Sequence, residues 1–138
     1  MIMPIVDASV ALKWVIDEEG SEAASALAAE SLISPSLILA ECANALWAKA
    51  LRREITAAEV LERLTLLRAA PVLLVPLEEL VEDATRLAVT LGHPVYDCLY
   101  LVLAVRENTR LVTSDQQFAR VVHEDEVLSG HLQLLGEP

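Results

Sequence analysis

Four acidic residues of this sequence stand in unusual company. Asp7 and Asp115 each follow a short apolar run, Ile5-Val6 in one case and Leu111-Val112-Thr113 in the other. Glu41 and Asp97 each fall in the early turns of a segment whose neighbours are mostly apolar. In an open α/β sheet, a carboxylate leaving the C-terminal end of a strand points into the crevice where ligands bind. Each acid alone has a plainer use, as a helix cap or as a negative charge favoured by a helix dipole. Four of them on one sheet edge would repel one another, and at least one would take up a proton. Divalent cations resolve that conflict, and an all-oxygen set of carboxylates and waters suits Mg²⁺ or Mn²⁺. Such a site points to hydrolysis of a phosphodiester or phosphomonoester, with metal aligning the phosphate and activating water. Ser9, Thr113 and Ser114 are polar neighbours of the strand-end acids in sequence, and Asn44 shares a helix face with Glu41 three residues earlier.

The other acids read as ordinary surface. Asp17, Glu18, Glu19, Glu22 and the Glu124-Asp125-Glu126 run are solvated, and Glu78, Glu79, Glu82 and Asp83 enrich a helix N-terminus. His93, His123 and His131 match no zinc spacing, although His93 sits in a loop that could approach the acidic edge. Cys42 and Cys98 lie inside apolar helical patterns and read as buried free thiols. The chain has only four glycines, so neither a dinucleotide fingerprint nor a P-loop is available. A phospho-accepting receiver needs a late lysine, and none follows Lys49.

The elements that must carry these groups alternate. Short strands are predicted at 5–6, 32–33, 72–75 and 110–113, with a final edge strand within 127–135. Helices are predicted over 9–15, 21–30, 37–53, 56–68, 78–91, 94–108 and 116–122. Thr56-Ala57-Ala58-Glu59 is a capping box, Gly92 closes a helix and Pro94 opens the next. The run 72–75, between Pro71 and Pro76, reads as a core strand. Trp14 and Trp47, beside apolar neighbours, read as core or interface packing residues rather than base-stacking ones. The expectation is an α/β fold: a three-layer α/β/α sandwich around a mostly parallel sheet, in one domain spanning 1–138. A composition that is 54% hydrophobic but only 4% aromatic suits a buried sheet under Ala- and Leu-rich helices.

Charge narrows the partners. With 21 acids against 10 bases the formal charge is −11, a surface that repels polyanions over most of its area. A nucleic-acid substrate would need metal ions or a local basic patch, for which Lys13, Lys49, Arg52 and Arg53 are the candidates. The same charge fits a dedicated basic partner peptide. The start lacks the basic and long apolar regions of a signal peptide, and the apolar stretch at 96–105 is too short for a membrane span. A cytoplasmic protein without a membrane segment is the expectation.

Taken together, the motifs resemble those of the PIN-domain ribonucleases, and among them the toxins of the VapBC toxin–antitoxin group. Val6-Asp7-Ala8-Ser9-Val10-Ala11-Leu12-Lys13-Trp14 resembles the family's opening, and Glu41 with Asn44-Ala45-Leu46 its second acidic position. Tyr96-Asp97-Cys98-Leu99-Tyr100-Leu101-Val102-Leu103-Ala104 is similar to its third motif, and Leu111-Val112-Thr113-Ser114-Asp115-Gln116-Gln117-Phe118 to its fourth. The four occur in order, at the family's usual spacing, over nearly the whole chain. Ser114 replaces the small apolar residue of many members, a minor departure. The resemblance implies a PIN fold and metal-dependent cleavage of structured or translation-related RNA. It makes Asp7, Glu41 and Asp97 the metal carriers and Asp115 a fourth, more variable acid, with Thr113 or Ser114 helping to hold water or ligand. It further implies a homodimer silenced by a cognate antitoxin whose C-terminal arm enters the acidic groove. Two rivals are a PIN-fold binding module with little catalysis, which metal-dependent turnover would separate, and a Mg²⁺ phosphohydrolase of small esters. The D-x-D pattern of the latter is missing, since Ala8-Ser9 follows Asp7.

Overall fold

Strand β1 (Ile5–Val6) is two residues long and wholly buried, yet it is the middle of the sheet. The computed structural model describes residues 2–138. After β1 come α1 (Ala8–Ala11), a 3₁₀ turn (Leu12–Trp14), α2 (Ser21–Leu27), β2 (Leu32–Pro35), α3 (Leu37–Leu51), α4 (Ala57–Ala69) and β3 (Val72–Val75). A 3₁₀ turn (Leu77–Glu79) leads into α5 (Val81–Leu91), and the chain continues with α6 (Val95–Arg106), β4 (Leu111–Thr113), α7 (Gln116–His123), a last 3₁₀ turn and β5 (Leu132–Leu134). The strand order is β3-β2-β1-β4-β5 and every pairing is parallel.

Parallel strands need crossovers, and right-handed crossovers decide which face each helix covers. From β1 to β2 to β3 the chain moves one way across the sheet, so α1–α4 share a face. From β3 it crosses back to β4 and on to β5, which places α5, α6 and α7 on the other. The contacts agree: α1 packs on α3 and α3 on α4, while α5 packs on α6 and α6 lies across β1, β2 and β4. The three-layer sandwich expected from the sequence is therefore present. The reversal of direction falls between β1 and β4, the switch point at which open α/β sheets bind ligands.

Helix α6 is apolar nearly all round because it is the central covering helix, with Cys98, Leu99, Tyr100, Leu101, Leu103 and Ala104 buried. Helix α3 buries Ile38, Cys42 and Leu46, one residue per turn. Thr56 and Glu59 exchange side-chain-to-backbone hydrogen bonds at the start of α4, as the capping box requires. Gly92 ends α5 with φ 63. Among the described residues no single helix is long and apolar enough to cross a membrane.

One packing expectation fails. Strand β3 is not a core strand: it pairs only with β2, and Leu73 and Leu74 are 56% and 38% exposed. An apolar run cannot say whether it has a neighbour on both sides, and β3 has one. Trp47, next to the buried Leu46, is 56% exposed, so of the two packing roles expected for it the core is excluded. Trp14 does pack, with its indole N–H donating to the Ala24 carbonyl at 2.8 Å. Boundaries differ as well. The segment 9–15 divides into α1 and a 3₁₀ turn, and the helix expected from 78 starts at Val81.

Candidate metal centre

The register of β1 against β4, Ile5 to Leu111 and Val6 to Val112, brings Thr113 level with Asp7 across the switch point. Thr113 donates its hydroxyl hydrogen to Asp7 Oδ2, and Ser9 donates to Asp7 Oδ1 at 2.5 Å. The Val10 N–H reaches the same Oδ1 at 3.3 Å, so Asp7 also caps α1. Both hydroxyls accept in turn: Ser9 Oγ from the Ser114 N–H at 2.9 Å and Thr113 Oγ1 from the Asp115 N–H at 3.1 Å. The first and fourth acidic motifs are thereby tied into one network.

Asp7 is 8% exposed, and burial is the main reason its carboxyl is pushed up to about 6. The nearby charge of Asp97 pushes the same way, against the hydrogen bonds that favour the ionised form. Glu41 is raised too, by burial first and again by Asp97, while the hydrogen bond donated by the Tyr100 hydroxyl lowers it. Asp97, in the first turn of α6, thus acts on two carboxyls delivered by other elements. Its own Oδ2 lies 2.6 Å from His93 Nε2. Cys42 and Cys98 are free thiols pushed up to about 12 and about 11, chiefly by burial, and neither is poised as a nucleophile.

Asp115 stands beside this group, and its carboxylate caps α7 by accepting from the Phe118 N–H at 3.0 Å. Asn44 is exposed on α3 and lines a depression with Leu37, Ala40, Glu41 and Tyr96. The Ser114 hydroxyl has no hydrogen-bond partner among the described residues. Lys13 shares a pocket of about 320 Å³ with Ser114 and Gln116, and its ammonium is held by Glu18 at 3.2 Å and by the Glu19 carbonyl at 2.7 Å. Lys49 also faces Glu18, at 3.9 Å, and Arg52 pairs with Glu54 at 2.9 Å. Arg53, at φ 61, occupies the left-handed position just past the end of α3. Along α3, Lys49 stands about 12 Å and Arg52 about 16 Å from Glu41.

The donor chemistry fits a hard divalent cation, since Asp7, Glu41 and Asp97 offer oxygen ligands whose like charges oppose one another. Among the described residues, however, no three His, Cys, Asp or Glu side chains are arranged to hold a metal ion. Glu41 is engaged by Tyr100 and Asp97 by His93, each through one carboxylate oxygen.

Residues 5–124 match the PIN domain family. The chain is also 36% identical over 121 residues to Ribonuclease VapC3 of Pyrobaculum aerophilum, an alignment covering 83% of this chain and 91% of that protein. This chain belongs to the PIN-domain family. Its fold agrees with the crystal structure of PAE2754 from Pyrobaculum aerophilum, at a TM-score of 0.65 and 23% identity, covering 95% of this chain and 83% of that one. In this PIN domain, the resemblance read from four short motifs extends to the whole architecture.

Three residues near the acids carry weight that sequence reasoning did not give them. Tyr100 reaches Glu41 from 59 positions away, from a helix that covers the opposite face of the sheet. Tyr96, 63% exposed, stands at the rim next to Glu41 and Asn44. His93, expected in the sequence only as a loop residue that could approach the acidic edge, lies 2.6 Å from Asp97.

Proposed function

We propose that this protein is a Mg²⁺- or Mn²⁺-dependent endoribonuclease, the toxin of a toxin–antitoxin pair. The observation that carries the reading is the electrostatic meeting of Asp7, Glu41 and Asp97 at the switch point of a PIN domain similar to a ribonuclease. In this reading Asp7, Glu41 and Asp97 hold the cation, with Asp115 as a fourth acid beside them. A divalent cation bound there supplies the positive charge that draws a phosphodiester into an acidic groove and makes water a better nucleophile.

The chain's own residues do the rest. Ser9 and Thr113 fix both oxygens of Asp7, so it needs no reorganisation when substrate arrives. Tyr100 holds Glu41 through a hydroxyl that burial and the neighbouring carboxylates keep protonated. Lys13, beside Ser114, is the cation best placed to meet a phosphate close to the acids, and Lys49, Arg52 and Arg53 extend the contact along α3. Asn44, Thr113 and Ser114 offer neutral polar contacts.

The same reading makes the protein a cytoplasmic homodimer whose antitoxin places a basic C-terminal arm in the acidic groove, for which the −11 charge is the support. The test of reaction class is a substrate panel with Mn²⁺: RNA oligonucleotides, DNA of the same sequence and a small aryl phosphate ester. Cleavage confined to RNA is expected, and turnover of the small ester without RNA cleavage would replace the proposal with a phosphomonoesterase.

A further inference from the structure

His93 is held on three sides. Its backbone leaves the left-handed Gly92 and donates to the Ala88 carbonyl at 3.2 Å, and Pro94 follows it directly. Its ring stacks on the buried Phe118, with centroids 4.5 Å apart and planes at 28°. Its Nε2 lies 2.6 Å from Asp97 Oδ2. The imidazole is the more buried partner, 13% exposed at the side chain against 34% for Asp97. A fixed, largely buried ring therefore grips a more exposed carboxylate. Phe118 in turn donates its backbone N–H to Asp115, so the ring bridges the third and fourth acidic motifs.

We infer that His93 is a positioning residue that aims Asp97 into the metal centre, by donating from Nε2 to Oδ2 and leaving Oδ1 to the cation. An ionised carboxylate can only accept, so the bond requires the proton on Nε2. Carboxylates that ligate metals are commonly oriented by hydrogen bonds from residues behind them, and losing such a bond costs about 10–100-fold in metal affinity. The inference rests on the metal-site reading above and adds to it the device that sets the direction of one ligand. A histidine serving only to fill space between α6 and α7 would need the ring but not the donor.

The test is Mn²⁺ affinity, by calorimetry or electron paramagnetic resonance, for wild type, His93→Gln and His93→Asn. The amide nitrogen of Gln reaches the position of Nε2, whereas that of Asn stops at the position of Nδ1. Wild-type-like affinity in His93→Gln with about a 10–100-fold loss in His93→Asn is expected. Equal affinity in all three, or equal loss in both variants, overturns the inference while leaving the metal site standing. No Mn²⁺ binding by the wild type overturns the metal reading and this inference with it. A measurement on the unmodified protein stands apart from variant folding: the ¹⁵N shifts of His93 must report the proton on Nε2, and a proton on Nδ1 alone would overturn the assignment.

Discussion

The Thr113 hydroxyl donates to Asp7 across 106 positions of chain, and it also accepts the backbone N–H of Asp115. One side chain thus fixes an oxygen of the first acid and the backbone of the fourth. Both bonds exist because β1 and β4 are neighbours in register. Replacing Thr113 with Val preserves shape and removes the donor and the acceptor. Thr113→Val is expected to cost about 1–3 kcal/mol of stability, since it strands a buried carboxylate and an N–H. RNA cleavage should fall about 10–100-fold, as with other residues that orient metal ligands. Denaturant unfolding and initial rates check both, and wild-type values would mean that Asp7 needs no support from β4.

The raised Asp7 carboxyl fixes a pH dependence. Its folded-state value, about 6, lies above the ordinary 3.8, so the folded protein binds that proton more tightly than the unfolded one does. Metal-free protein should therefore gain stability as the pH falls from 7 through 6 toward 4. The gain is on the order of 2–3 kcal/mol. Asp7→Asn should be more stable than wild type at pH 7.5 and lack this part of the dependence. Added Mg²⁺ should raise the melting temperature of the wild type and leave that of Asp7→Asn nearly unmoved. A wild type that loses stability steadily from pH 7 to pH 5 would contradict the account of Asp7.

Tyr100→Phe tests the hold on Glu41. The ring stays in the core, and Glu41 loses the hydroxyl that accounts for its only side-chain hydrogen bond among the described residues. A loss of about 0.5–1.5 kcal/mol in stability is expected, with a lower kcat at saturating metal. An unchanged kcat would show that Glu41 is positioned without Tyr100.

The strand-end acids could be read from the sequence because the signal is local: an apolar run, a carboxylate, then a helix. The capping box and Gly92 were legible for the same reason. Strand order is not local. Nothing in Val72-Leu73-Leu74-Val75 says that β3 is an edge, and nothing near Asp7 names Thr113 as its partner. The exposure of Trp47 was not legible because α3 is rich in alanine and leucine, so its apolar face has no sharp phase; only the buried series Ile38, Cys42 and Leu46 fixes it.

The cationic residues make a prediction about binding. Arg52 and Arg53 stand at the far end of α3 from Glu41, and Arg52 is already paired with Glu54. Reversing both to Glu should weaken RNA association and lower the salt slope by about 2, one for each lost phosphate contact. Unchanged affinity and slope, measured by fluorescence anisotropy from 50 to 200 mM salt (about the range over which phosphate contacts dominate), would move the RNA path off this helix and leave Lys13 as the nearer contact.

The measurement that bears most directly on the central claim is cleavage of a mixed RNA set by purified, antitoxin-free protein. It is run with Mg²⁺ or Mn²⁺ and with EDTA, beside folded Asp7→Asn. The account predicts cutting that requires the metal and disappears in the variant. Cutting that persists in EDTA, or an Asp7→Asn protein as fast as wild type, would contradict it.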